Sequence, residues 1–288
     1  MIEVFKPRAV PLGGLRAMRV DRVMPQRGLP TVGAWCFLDS FGPKDDRMRV
    51  LPHPHTGLQT VTWPLAGEIR HRDSLGSDVL VRPGHLNLMT AGHGVSHSEF
   101  SVSDGPLHGI QLWVALPADR AAMAPAFEQH TELPVYQDFA TVLMGSLGDV
   151  TSPATTHTPL VGADLTITGA VVVPLRQEHE HAVLAVTDVT VAGVELRRGH
   201  LAYLGTGRHE LDLSAENGRA LLLGGEPFPD ELVMWWNFVG RSHDEIAAAR
   251  AAWQAADDRF GHVAGHDGAR IPAPGLPGVR LTPRQTRR

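Results

Sequence analysis

Short apolar or alternating runs, separated by turn residues, fill the chain from residue 4 to residue 239. The strand-like runs include 59–65, 78–81, 109–116, 170–174, 182–186 and 220–223. Gly, Pro, Asn and Asp occupy the breaks, for example at 82–84 and 216–218, and these residue types are typical of turns. Many short strands joined by turns predict an all-β sandwich or barrel.

A helix is predicted only near the C-terminus, over about residues 242–261. Ser242 and Glu245 have the spacing of a capping box. Apolar residues then recur at helical spacing, namely Ile246, Ala249, Trp253, Ala256 and Phe260. Gly261 is placed to end the helix. From Ile271 onward the chain is rich in Pro, Gly and Arg, which predicts an extended tail, either docked or disordered.

Three features of the chain occur twice, in the same order. The segment 82–86 (RPGHL) returns as 197–201 (RRGHL), a His-x-His pair precedes each copy, and a single histidine follows each copy. This repetition predicts two copies of one β-fold in tandem, joined between about residues 117 and 169. We assign residues 1–135 to an N-terminal, metal-binding barrel. Residues 136–288 form the C-terminal barrel with the helix and the tail.

Composition and charge limit the class of protein. The 288 residues are 43% hydrophobic and 20% charged, as in an ordinary globular protein. Cys36 is the only cysteine, which excludes a Cys-based metal site and favours a reducing, cytoplasmic location. No signal peptide or apolar run of about 20 residues is visible, so we expect no membrane span. With a net charge of −5 and scattered basic residues, we also expect no direct binding to nucleic acid.

Histidine is unusually abundant, with 16 copies. His53 and His55 form one i, i+2 pair, and His97 and Glu99 form another; on a strand, such a pair faces one side. Two pairs on neighbouring strands could therefore meet inside a barrel. Three imidazoles and a carboxylate suit iron, manganese, nickel, copper or zinc. A six-coordinate ion would keep two positions open for water, substrate or dioxygen. The alternative is that these are surface or hydrogen-bonded core histidines.

The segments around these pairs resemble the pirin family over nearly the whole chain. They are 53–62 (HPHTGLQTVT), 71–74 (HRDS), 83–84 (PG), 89–99 (MTAGHGVSHSE), 109–114 (GIQLWV), 222–227 (LLGGEP) and 235–239 (WWNFV) with the helix that follows. The resemblance implies a bicupin, two tandem antiparallel jelly-roll-like β-barrels. It also implies one mononuclear metal, usually Fe²⁺, in the N-terminal cupin. The family's ligand motif falls on His53, His55, His97 and Glu99.

The resemblance leaves more than one function open. Some pirins open the heterocycle of quercetin with dioxygen, and others are described as regulators that bind a transcription factor or an enzyme. We favour an iron-dependent dioxygenase that takes a small flavonol-like or other acidic-hydroxyl substrate and O₂. By analogy with cupin flavonol dioxygenases, Glu99 would accept the substrate proton. One alternative is a non-catalytic, metal- or redox-responsive protein with a protein partner. Another is a cupin that binds a small molecule without turnover.

Several positions depart from the family pattern. Gln59 stands where the family usually has Glu, while His85, Leu88 and His93 stand where Asp, Trp and Arg are common. If strand alternation continued past His55, Gln59 would share its face. We therefore expect Gln59, Leu88 and His93 to be candidates for lining the site.

The repeat also predicts a second histidine group, formed by His179, His181 and His209. Three histidines make a possible zinc site, although the carboxylate position is Leu211 and the family's C-terminal cupin normally lacks a metal. The favoured interpretation is a hydrogen-bonded His181 and an exposed His179. The other histidines lack ligand spacing, and we expect most of them to be solvated: His71, His108, His130, His157, His243, His262 and His266.

Overall fold

The computed structural model describes residues 2–12, 18–45 and 47–283. The strands in these residues are β1 Glu3–Phe5, β2 Arg8–Pro11, β3 Arg19–Met24, β4 Trp35–Lys44, β5 Arg49–His55, β6 Leu58–Ala66, β7 Ile69–Asp73, β8 Asp78–Val81, β9 Leu86–Thr90, β10 Val95–Ser101, β11 Leu107–Ala115, β12 Ala126–His130, β13 Val135–Tyr136, β14 Ala140–Leu147, β15 Val150–Thr151, β16 Leu160–Pro174, β17 Glu180–Ala185, β18 Val189–Val191, β19 Val194–Leu196, β20 Leu201–Gly205, β21 Glu210–Gly225, β22 Val233–Trp235 and β23 Phe238–Gly240. Helix α1 spans His243–Gln254, and a 3₁₀ turn follows at Asp258–Phe260. The predicted all-β class is confirmed, and every predicted strand-like run overlaps an observed strand.

The described residues divide into two compact units. The C-terminal unit contains those of His130–Phe228, with Met1–Ala9 and Asp21–Asp39. The N-terminal unit contains those of Ser40–Gln129, with Val10–Val20 and Pro229–Arg288. This division differs from the predicted domains 1–135 and 136–288, because the helix and the tail belong to the N-terminal unit. Contacts of β23 with β5, and of the 3₁₀ turn with β10, hold this segment there.

Two sheets build the N-terminal unit. One has the strand order β5-β10-β7-β8, and the other has the order β12-β9-β6-β11-β4-β3-β2. Phe41 and Leu107 from the second sheet form one apolar cluster with Val50, Ile69 and Val81 from the first. The two sheets therefore face each other across a shared core, as in a jelly roll.

A single sheet builds the C-terminal unit. Its main path is β1-β20-β17-β21-β16-β14-β13, and β15, β18 and β19 pair at its side. One apolar cluster collects side chains from strands along this path, among them Val142, Leu165, Val183, Ala202 and Leu222. Because one face of one sheet supplies this core, the sheet must curl around it. Each unit thus has the curved antiparallel architecture of a cupin.

Helix α1 begins as predicted and ends early. The Ser242 hydroxyl accepts a hydrogen bond from the Glu245 backbone N–H at 3.2 Å, which confirms the N-cap. The predicted end at Gly261 is wrong, since the helix stops at Gln254 and Ala256 adopts a positive φ of 56°. The Asp257 side chain then caps the 3₁₀ turn by accepting from the Arg259 N–H. Gly261 ends that turn instead.

The tail lies along α1. The Trp253 indole N–H donates to the Ile271 carbonyl at 2.8 Å, and the Ala273 N–H donates to the Gln254 side chain at 3.1 Å. Farther on, the Leu281 N–H reaches His243 Nδ1 at 3.1 Å. Of the two alternatives for the tail, docking is therefore confirmed up to Leu281. With 12 residues, α1 is too short to cross a membrane, and no other helix of the described residues could do so.

Candidate metal centre

Two paired strands bring the predicted ligands together. Strands β5 and β10 are antiparallel, with His97 directly opposite His53 and Val95 opposite His55. A bulge interrupts this pairing between His97 and Glu99. On its other edge β10 pairs with β7. The ligand pairs thus lie on neighbouring strands, as the spacing predicts.

The three predicted histidines form one buried group. His55 Nε2 lies 3.1 Å from His97 Nε2. The His53 ring centroid is 4.3 Å from that of His97 and 5.0 Å from that of His55. One ring nitrogen from each histidine lies within 4.8 Å of those of the other two. The predicted convergence of the imidazoles is confirmed.

Glu99 belongs to a second group of possible metal ligands, which has His97 in common with the first group. Its carboxylate, His97 and His71 each offer a ligand atom within 4.8 Å of the other two. The Thr62 hydroxyl, which projects from β6 on the facing sheet, lies 3.1 Å from Glu99 Oε1 and 3.0 Å from Gln111 Oε1, so its single proton serves one of these two acceptors at a time. His97 is therefore the residue through which the carboxylate side and the imidazole side of the site meet.

His71 also belongs to this site, although it is not part of either predicted ligand pair. We expected it to be solvated, but it is buried, and its Nδ1 lies 3.4 Å from His97 Nδ1. Its Nε2 lies 3.1 Å from Asp73 Oδ2, and its ring stacks on Phe127 at 4.6 Å. The available signal was the i, i+2 pair of His71 and Asp73 on one strand, which has the same spacing as the ligand pairs.

Asp73 fixes the orientation of His71. The backbone N–H groups of Leu75 and Ser77 donate to Asp73 Oδ1 at 2.9 and 3.0 Å. Burial alone would raise the pKa of Asp73, but hydrogen bonds from His71 and Ser77 and the charge of His71 bring it below its ordinary value. Asp73 is thus an ionised acceptor for His71 Nε2–H. If His71 is neutral, its Nδ1 is left to accept from His97 Nδ1–H at 3.4 Å, and the lone pair of His97 is then on Nε2, 3.1 Å from His55 Nε2.

Burial controls the charge of the donor groups. It lowers the pKa of His53 to about 4 and lowers the pKa values of His55 and His97 well below the ordinary value. These rings are therefore neutral near pH 7, in the form that binds metals. Burial raises the pKa of Glu99. Three neutral imidazoles converge, and the buried carboxylate of Glu99 lies close to one of them, His97. This set of donors fits a borderline divalent ion such as iron, nickel or zinc.

The three candidates for lining the site do not lie beside it. A turn at Gly57, with φ of +71°, separates β5 from β6, so alternation does not carry over from His55 to Gln59. Within β6, Gln59 faces opposite to Thr62, and its amide donates to Thr90. Leu88 pairs with Val61 in register, on the face of Gln59. His93 is exposed. These expectations are therefore wrong: the turn resets the strand phase at Gln59, Leu88 shares the face of Gln59, and His93 lies on the surface.

The predicted group of three histidines in the C-terminal unit is not assembled. The His209 side chain is 70% exposed, and its Nε2 lies 3.6 Å from Glu210 Oε1. His179 and His181 are both buried, with ring centroids 6.0 Å apart. The expectation of an exposed His179 is therefore wrong. In the part of the chain that the structure describes, no third His, Cys, Asp or Glu completes a group with this pair.

The C-terminal segment supports β10 from the face opposite the ligands. Ser96 Oγ donates to the Phe260 carbonyl at 2.8 Å, and Ser98 Oγ lies 2.8 Å from His266 Nε2. His266 is thus buried against the sheet, contrary to the expectation of solvation. Ser96 and Ser98 alternate with His97 and Glu99 along the strand. The segment after α1 therefore braces the strand that carries two of the predicted ligands.

Comparisons with known proteins agree with this architecture. The Pirin family model matches residues 17–114, and the model of the Pirin C-terminal cupin domain matches residues 162–261. A Pseudomonas aeruginosa protein named "Putative quercetin 2,3-dioxygenase PA1205" is 45% identical, over 96% of this chain and 91% of its own. A crystal structure of quercetin 2,3-dioxygenase from Acinetobacter baumannii has a TM-score of 0.92 and 41% identity, over 98% of both chains. This chain belongs to the pirin family.

Proposed function

We propose that this pirin is a metal-dependent dioxygenase, with Fe²⁺ as its metal and a flavonol-like or other acidic-hydroxyl compound as its substrate. The observation that carries the proposal is the buried group of His53, His55 and His97, with Glu99 adjoining it through His97. Similarity to proteins named quercetin 2,3-dioxygenase supports the substrate class and the use of O₂.

The ion would be held by His53, His55, His97 and Glu99. When bound, such an ion would polarise a substrate oxygen and bring dioxygen next to the substrate. The three imidazoles contribute no charge, so Glu99 is the anionic member of the set. A single carboxylate leaves a divalent centre with net positive charge, which attracts a deprotonated hydroxyl.

Glu99 accepts the proton of the substrate hydroxyl in this proposal. In this proposal the single proton of the Thr62 hydroxyl goes to Glu99 Oε1 rather than to Gln111 Oε1, and it holds the carboxylate in one orientation. Burial raises the pKa of Glu99 and so favours its protonated form. A raised pKa suits a group that must take up a proton. Thr62 is thus a positioning residue, and Glu99 is the catalytic one.

His71 and Trp113 shape the surroundings of the imidazoles. In this proposal His71, held by Asp73, is neutral and accepts from His97 Nδ1–H, which leaves the His97 lone pair on Nε2, 3.1 Å from His55 Nε2. The Trp113 ring meets His55 edge-on, with centroids 5.2 Å apart. This apolar contact keeps water away from one side of the group and strengthens electrostatic interactions within it.

The test is aerobic turnover of quercetin. Metal-free protein is loaded with Fe²⁺ under anaerobic conditions, quercetin and then air are added, and flavonol absorbance and oxygen uptake are followed. We expect iron-dependent loss of quercetin with matching oxygen uptake, abolished in Glu99→Gln and unchanged in His209→Ala. His209 is the matched control because it is an exposed histidine in the C-terminal unit.

Other outcomes would replace the proposal. Quercetin that binds but is not consumed, with no oxygen uptake, would indicate a cupin that binds ligand without turnover. Neither binding nor turnover, together with a protein pull-down whose yield differs between ferrous and ferric forms, would indicate the regulatory alternative. Equal activity of Glu99→Gln and wild type would remove Glu99 from its role.

A further inference from the structure

Two buried histidines of the C-terminal unit have unused hydrogen-bonding groups. His179 and His181 are 3% and 0% exposed. By distance and angle, none of their four ring nitrogens has a hydrogen-bond partner within the described residues, and the His179 backbone near His181 acts only weakly, since burial still lowers the pKa of His181 to about 4. Leaving a buried polar group unsatisfied costs about 1–3 kcal/mol. Four such atoms on adjacent rings therefore indicate an occupant between or beside them.

The two rings line a small cavity that can hold an occupant. Its volume is about 90 Å³, and its wall includes Ser146, Val161 and Arg176. At roughly 30 Å³ per water molecule in the liquid, it accommodates an ion with two waters. The opposite strand makes room for the His181 ring, because a Cβ on Gly224 would lie 2.6 Å from His181 Cδ2.

The two rings can donate lone pairs to a cation. Burial lowers the pKa of His181 to about 4 and also lowers the pKa of His179, so both rings are neutral near pH 7. The exposed carboxylates of Glu178 and Glu226 favour positive charge at His179, and the Arg176 guanidinium in the cavity wall opposes it. The lone pairs of the rings, rather than the net charge around them, therefore select a cation.

We propose that His179 and His181 bind a divalent transition-metal ion in this cavity, with water in the remaining coordination positions. Neutral imidazole is a ligand common to zinc, copper and nickel. The site lacks His209, which lies outside on the surface. It is independent of the proposed dioxygenase activity, because it uses no residue of the N-terminal metal centre.

The test is the number of zinc ions bound by the full chain. Metal-free protein is dialysed against Zn²⁺ at micromolar free concentration, and zinc per chain is measured by elemental analysis. We expect two ions in wild type, one in His179→Ala and in His181→Asn, and two in His209→Ala. The double variant His53→Ala, His97→Ala should also retain one ion, and adding His181→Asn should remove it. Thermal melts confirm that each variant is folded, and His179→Gln replaces His179→Ala if the latter unfolds.

Anomalous diffraction at the zinc edge gives the location. The expected result is a peak between His179 and His181, separate from the peak at His53, His55 and His97. An unchanged zinc ratio in both His179→Ala and His181→Asn, or ordered water alone in the cavity, would each overturn the proposal. One zinc per wild-type chain that is lost in His181→Asn would support it and would mean that the N-terminal centre is empty. Quercetin turnover does not enter any of these readouts, so failure here is distinguishable from failure of the dioxygenase proposal.

Discussion

The two His-x-His pairs of this chain have the same spacing and different neighbours. His53 and His55 end β5, and the strand paired with it supplies His97 directly opposite His53. His181 lies near the start of β17, and its opposite residues on the two paired strands are Gly205 and Gly224. Spacing therefore brings two imidazoles together in both units, but only the register of the neighbouring strand decides whether a third donor joins them.

Burial does not distinguish the two pairs. Both are buried, and burial lowers the pKa of His53 and of His181 to about 4. The two pairs differ in what lies next to their imidazole rings. In the N-terminal unit Asp73 and His71 continue the chain of contacts outward from His97. In the C-terminal unit the rings face a cavity instead. The first pair is thus part of a pre-organised donor set, and the second depends on what fills the cavity.

The largest effect should come from removing the shared histidine. His97→Ala takes away the ring that belongs to both donor groups, so we expect metal affinity at the N-terminal centre to fall by more than about 100-fold, beyond the range of outer contacts. Isothermal titration of metal-free protein with Ni²⁺ measures this loss. The exposed His93→Ala is the control in the same unit, and an equal loss in both variants would contradict the role of His97.

A smaller effect should follow from loosening the support behind His97. Asp73→Asn keeps the volume of the side chain but replaces the ionised acceptor of the His71 proton, so we expect metal affinity to fall about 10- to 100-fold. The visible spectrum of the Co²⁺-loaded protein should shift as well, because the His97 ring loses its fixed tautomer.

Asp78→Asn is the control for Asp73→Asn. Asp78 follows directly after the same turn, but it is exposed and pairs with Arg70. If Asp73→Asn left the Co²⁺ spectrum and the affinity as they are in wild type, the chain of contacts through His71 would carry no influence on the metal.

The strands and the convergence of the three imidazoles could be predicted because they depend on local pattern. Alternation and turn residues marked the strands, and the i, i+2 spacing selected His53, His55, His97 and Glu99. His71 was missed because its importance depends on β7 pairing with the far edge of β10. His266 was missed because it meets Ser98 across 168 residues of sequence. Single-sequence periodicity contains no information on such pairings.

The errors at Gln59 and at the end of α1 have a local cause. Each prediction extended a period past a residue with positive φ, Gly57 in the first case and Ala256 in the second. Glycine at position 57 is a recognisable signal, and a Cβ there would lie 2.2 Å from the Val239 carbonyl oxygen. Alanine at position 256 gives no such signal, because alanine rarely adopts this conformation.

A change in the C-terminal unit should leave the first centre unaffected. Gly224→Ala would place a Cβ against the His181 ring and within 3.0 Å of the Glu180 carbonyl. Overpacking of this kind costs about 1–3 kcal/mol, so we expect a lower free energy of unfolding in urea, with Ni²⁺ affinity at the N-terminal centre unchanged. Gly275→Ala, with open space at its Cβ, is the control. Equal stability of the two variants would mean that the His181 ring moves aside freely.

The smallest effect should come from the hydroxyl that holds Glu99. Thr62→Val keeps the shape of the side chain and removes the donor to Glu99 Oε1. A hydrogen bond to a charged group contributes about 1.5–3 kcal/mol, and a neutral one about 1 kcal/mol. Because metal binding would hold the carboxylate as well, we expect the lower value, which corresponds to a roughly fivefold loss of metal affinity. Thr62→Ser should restore the affinity, since it keeps the hydroxyl, and Thr60→Val on the same face of β6 should leave it unchanged. If Thr62→Ser lost as much affinity as Thr62→Val, packing of the methyl group rather than the hydrogen bond would position the carboxylate.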